Sequence, residues 1–180
     1  MIRSLLLFAH LAGMLTLFAA LGVELIALDL LRRSGARSEA VAPIRILGAL
    51  PRAYGVAFGL ILLSGIVLAA RVGVYPFAWV RVSFGAMLLM AFAGGPMIRS
   101  RVRAIAHDEG AEALRRHADP LLRASIRIRV ALGLAVVYLM IAKGGIGLSL
   151  AVVGAALLAG SLSTAFGSRR TADARSATVY

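Results

Sequence analysis

The feature that most constrains this chain is a set of five apolar stretches, each long enough to cross a lipid bilayer as a helix. A crossing takes ~20 predominantly apolar residues. The first stretch runs from about Ser4 to Leu31 and holds only His10, Glu24 and Asp29 as ionisable groups. The others run from about Pro51 to Ala70, Phe77 to Ile98, Asp119 to Ala142 and Ile146 to Phe166. Soluble domains are about half apolar, whereas 61% of this chain's 180 residues are hydrophobic. Inside a bilayer a helix satisfies all its backbone hydrogen bonds within one segment. The expected fold is therefore all-α, a polytopic membrane helix bundle of five transmembrane helices. It occupies residues 1–167, and a polar tail of residues 168–180 follows. The start, Met1-Ile2-Arg3 and then Leu5 to Leu21, imitates a signal peptide. The apolar run continues to Leu31, too long for a signal core, so it reads as a retained first helix.

Local signals sharpen the boundaries. Pro51 suits the first turn of helix 2, and Asp119-Pro120 supplies an N-cap and a following proline for helix 4. Lys143-Gly144-Gly145 is short enough to make helices 4 and 5 an antiparallel hairpin. Gly94-Gly95-Pro96 predicts a kink in helix 3. Two readings stand for Ser38–Leu50, with Val41, Ile44, Ile46 and Leu47 among basic residues: a short amphipathic helix at the membrane surface, or a linker. The loop from His107 to His117 reads as a solvated turn with internal ion pairs, and the tail reads as frayed.

The charges give an orientation. Sixteen of the 20 Lys and Arg residues fall in the loop after helix 1, between helices 3 and 4, and in the tail. Arg52, Arg99, Arg127 and Arg129 belong to this set. Arg3, Arg71, Arg81 and Lys143 fall on the other side. Positive residues stay cytoplasmic, so the N-terminus is expected outside and the C-terminus inside, in a bacterial cytoplasmic (inner) membrane. The net charge of +12 is explained by topology, and nucleic acid is not an expected partner. There are no cysteines, which excludes disulfides and thiolate chemistry.

Ionisable groups within spans are costly and mark candidate sites. His10 and Glu24 share a face of helix 1 but lie ~21 Å apart, in different layers of the bundle. One layer collects His10, Tyr75, Trp79 and Arg81, with Lys143 nearby. It is either an outward-opening pocket or a set of interface anchors around a histidine hydrogen-bonded between helices. The other places Glu24 near Arg52, Arg99, Arg127 or Arg129. It is either a proton or ion relay or an ion pair that fixes helix register. His10 is also a candidate haem ligand, with Met14, Met87, Met90 or Met140 opposite. Otherwise no cofactor is expected. Gly55 and Gly59 form a GxxxG, and helix 5 has Gly154, Ala155 and Gly160. Both are expected to pack within the bundle. No phosphate loop, metal-ligand spacing or Ser/His/Asp arrangement occurs, and the chain is expected to be no enzyme.

Asp119-Pro120-Leu121-Leu122-Arg123, then Arg127 and Arg129, then Leu139-Met140 and Lys143-Gly144, resembles a bacterial family of predicted integral membrane proteins of unknown function. That family is similar in its early histidine and its mid-chain Thr-Gly, here Ser64-Gly65. A Pro is common there where Gly144 stands. This resemblance implies a fold and a membrane location. On His10 alone the chain is similar to membrane bundles of copper-resistance and protoporphyrinogen-oxidase type, which implies haem chemistry. The expected function is a small transport-related or accessory bundle, acting with partners or as a homo-oligomer. The alternatives are a haem-binding redox protein and a structural subunit of a larger membrane complex.

Overall fold

The computed structural model describes the backbone of residues 1–34, 36–107 and 120–176, and the side chains within these except Arg32, Arg37, 93–107, 120–123 and 163–176. The described residues form five helices: α1 Ile2–Arg33, α2 Arg37–Val72, α3 Ala78–His107, α4 Pro120–Ala142 and α5 Ile146–Ser176. Three carry stretches long and apolar enough to cross a membrane: Ile2–Leu31, Ser38–Val72 and Ala124–Ala142. Shorter apolar stretches, Ala78–Phe92 and Ile146–Leu162, lie in α3 and α5.

The helices close a ring. α1 packs along α2, α2 meets α3, α3 meets α4, and α4 returns to α1. α5 lies outside this ring, paired with α4 and touching α3. Leu17, Leu21 and Leu31 of α1, Leu47 and Ile61 of α2, Met90 of α3 and Leu132 and Val136 of α4 are all but fully buried in the core. The outer faces are apolar too: Leu15, Leu63, Phe92 and Ile141 are each about 70% exposed. Meanwhile His10, Glu24, Ser64, Ser83 and Arg129 are buried. Apolar groups outside and polar groups within suit a hydrocarbon solvent, since exposed apolar patches this extensive are rare in water-soluble monomers.

Several boundaries differ from those expected. α2 starts at Arg37 and carries Pro43 and Pro51 inside it, so Pro51 does not open the helix. The segment Ser38–Leu50 is helical, but it is continuous with α2. Ala40, Leu47 and Leu50 join the core with Leu28 and Leu31 of α1. The connection between Arg33 and Arg37 is so short that α2 turns back alongside α1 at once. Tertiary burial then outweighs the backbone bonds that the two prolines forgo. α2 ends at Gly73, whose φ of 71° closes the helix in the left-handed conformation favoured by glycine. α3 is helical through Gly94-Gly95-Pro96 and on to His107, and α5 continues to Ser176, well into the segment expected to fray. Asp119 and the loop beyond His107 lie outside the described residues.

The α4–α5 hairpin forms as expected around Lys143-Gly144-Gly145. The left-handed residue is not a glycine: Lys143 has φ 48°, and its N–H bonds the Leu139 carbonyl at 2.9 Å. A correction concerns Gly55 and Gly59. A Cβ on either would meet nothing within 4 Å, so this face of α2 is not packed against the described residues. The close approaches fall elsewhere. A Cβ on Gly13 would sit 2.9 Å from Ile61 Cγ1, and one on Gly160 would sit 2.8 Å from the Cα of Ile128. Gly154, like Gly55, is open.

Replacing Gly160 by Ala forces α5 away from the α4 backbone and should destabilise the fold by about 1–3 kcal/mol. Gly55→Ala and Gly59→Ala should leave it unchanged or slightly more stable, because alanine favours helix. Thermal unfolding in mild detergent measures the difference.

Candidate functional site

Two polar centres lie at opposite ends of α1. The first is built on Glu24, which is fully buried. Arg129 of α4 grips it with both guanidinium arms: Nη2 donates to Oε1 at 2.5 Å and Nη1 donates to Oε2 at 3.0 Å. The Tyr54 hydroxyl of α2 donates to Oε2 as well. The Arg129 Cζ stands 5.4 Å from the centre of the Tyr54 ring, and Nε donates to the Ser125 carbonyl at 3.4 Å. Three helices thus share one carboxylate. Both its oxygens are engaged and no surface is open to water, which is the arrangement of a tie that sets helix register. Of the four arginines considered for Glu24, Arg129 makes the bond. Arg52 is exposed, Arg127 is half-buried, and the Arg99 side chain lies outside the described residues.

The second centre is His10, which is 9% exposed. Its Nδ1 lies 3.1 Å from the Ile61 carbonyl and 3.1 Å from Ser64 Oγ. A carbonyl only accepts, so Nδ1 carries a proton, and in the neutral imidazole Nε2 keeps its lone pair. The Ser64 hydroxyl donates to the Leu60 carbonyl and is left to accept from His10. Gly65 completes the seat, since a Cβ there would lie 3.2 Å from His10 Cε1. The Ser64-Gly65 pair is therefore the cradle of the imidazole.

His10 lines a cavity of about 600 Å³ inside the helix ring, at the end where α1 begins and α4 ends. Its walls are mostly apolar, with Leu7, Leu68, Val80 and Phe84 among them. Trp79 and Lys143 also line it, so the structure brings together two of the four residues grouped with His10 from the sequence. Tyr75 is 52% exposed, Arg81 is exposed as well, and neither lines the cavity. Met87 and Met140 line it, whereas Met14 is in the core and Met90 is buried there too.

Three contributors escaped the sequence reading. Tyr54 carried a usable signal: a phenol in an apolar helix needs a partner for its hydroxyl. Arg3 was counted for topology alone, yet it reaches the cavity. Ser83 gave no signal beyond being a serine within a span. Its Oγ is buried on the cavity wall, without a hydrogen-bond partner among the described residues. Among the described residues no three His, Asp or Glu side chains come together as metal ligands.

Arg129→Met alone strands the Glu24 carboxylate and should cost about 3–5 kcal/mol, and Glu24→Met alone should cost a similar amount. The double variant Glu24→Met/Arg129→Met should recover most of that loss. Tyr54→Phe should cost about 1–3 kcal/mol. Denaturation of the purified protein in detergent gives all four values.

Comparison with protein-family models, curated proteins and solved structures finds no match to this chain, so the resemblances read from the sequence gain no support from it.

Proposed function

We propose that this chain is a five-span protein of the bacterial cytoplasmic membrane, N-terminus outside and C-terminus inside. It works as a transport-related or accessory bundle that holds a small ligand drawn from the membrane or its outer surface. The observation that carries this reading is the cavity. Ligand sites of about 300–1,000 Å³ are typically apolar with a few placed polar groups, and this one lies within that range. Two of its polar atoms, His10 Nε2 and Ser83 Oγ, have no hydrogen bond within the described chain. An intramembrane ionisable group with a free lone pair is a functional candidate on cost grounds alone. Glu24 supports the reading by contrast, because its bonding capacity is spent inside the bundle.

The absence of cysteine makes topology directly testable. Single cysteines at Tyr75 and at Gly35 can be challenged with a membrane-impermeant maleimide on intact cells. Tyr75→Cys should label and Gly35→Cys should label only after lysis; the reverse pattern overturns the orientation. Ligand occupancy is tested by native mass spectrometry from mild detergent. A bound species that is lost in Ser83→Leu, which fills the cavity, is the expected outcome.

A second reading is favoured by one observation: the Nδ1 bond to the Ile61 carbonyl leaves Nε2 as the only ring nitrogen able to bind a metal. His10 would then hold haem, with Met87 or Met140 available on the same cavity wall. Haem would supply one-electron chemistry, while the chain would orient the imidazole and exclude water. An absorption spectrum of purified protein decides. A Soret band that vanishes in His10→Ala supports haem, and a wild-type protein that shows no Soret band after incubation with haemin and removal of the unbound excess sinks it.

A further inference from the structure

We infer that the ligand of the cavity is an anionic amphiphile, an apolar body whose negatively charged head is held at the mouth by Arg3 and Lys143. The inference rests on the cavity reading above and names the ligand's class. Both cations line the cavity, and among the described residues no carboxylate lines it with them. Among the described residues neither is ion-paired. Only four basic residues belong to this end of the bundle, and two of them converge on one opening. Lys143 adds an independent sign. It takes the left-handed conformation itself, with φ 48°, although Gly144 and Gly145 follow it directly. A glycine at that position would close α4 without strain, and strained residues persist where the side chain has a task. Arg3 stands seven residues before His10, ~10 Å along the axis of α1. The head is therefore bound at the rim, with the apolar body reaching inward past Leu7, Val80 and Phe84 toward the imidazole.

Trp79 is the only tryptophan in the chain and lines the cavity, so its fluorescence reports occupancy without a label. The full chain in mild detergent would be titrated with palmitate, hexadecanol and hexadecyltrimethylammonium, and separately with inorganic phosphate. Palmitate should bind wild type about tenfold more tightly than hexadecanol, the size of one charge-assisted hydrogen bond. In Arg3→Gln/Lys143→Gln the ratio should fall to about one, with hexadecanol binding unchanged. Equal binding of palmitate and hexadecanol by wild type overturns the inference while leaving the cavity reading intact. So does a ratio that survives the double substitution, or phosphate binding as tightly as palmitate. If none of the three amphiphiles binds, the cavity reading falls and the inference falls with it.

Discussion

The bond between Glu24 and Arg129 is the contact on which the arrangement of helices depends. A carboxylate with no exposure to solvent is tolerable only if its charge and both oxygens are matched. Arg129 matches the charge with a planar two-point grip, and Tyr54 supplies the remaining donor. Because the three residues come from α1, α2 and α4, a one-turn slip of α1 or α4 strands a buried charge, and a slip of α2 leaves a buried carboxylate oxygen without its second donor. Apolar packing alone lacks this selectivity, since the helix faces are rich in interchangeable Leu, Val and Ala. The tie specifies register more than it adds net stability.

With register fixed at one end, the ring can remain open at the other. A ring of four helices close-packed along its whole length would leave little room for a cavity of about 600 Å³. Here α1 and α2 meet closely where Gly13 faces Ile61 and where Gly65 faces His10. On the wall formed by α3 the Ser83 hydroxyl meets no partner among the described residues. The division of labour follows from chemistry. The acidic centre is saturated and closed, whereas the histidine keeps one nitrogen unengaged and faces an apolar space.

The sequence made the architecture legible because hydropathy and the sign of loop charges act residue by residue. Five helices, the hairpin at Lys143-Gly144-Gly145, and Arg129 among the four arginines considered for Glu24 were all readable that way. What escaped depends on which face meets which neighbour. Pro51 carries a local preference for a helix start, but the burial of Ala40, Leu47 and Leu50 against α1 lies in tertiary structure. The Gly55 and Gly59 spacing announces a small-residue face without saying whether that face looks inward. Among the described residues it is left uncovered, and α5 instead comes close to the α4 backbone at Gly160. Tyr54 and Ser83 became visible only when helix rotation placed one beside a carboxylate and the other on a cavity wall.

The tie between Glu24 and Arg129 also has a consequence for how the chain is made. The two partners are separated by 105 residues. At the ~5–20 residues per second of ribosomal synthesis, Glu24 precedes its guanidinium by about 5–20 s. Tyr54 comes 30 residues after Glu24, within the next helix, and is the first partner to arrive. For that interval the nascent α1–α2 hairpin carries an acid capped by a phenol alone. Insertion of α4 thus delivers the counter-charge that commits the earlier helices to their final places.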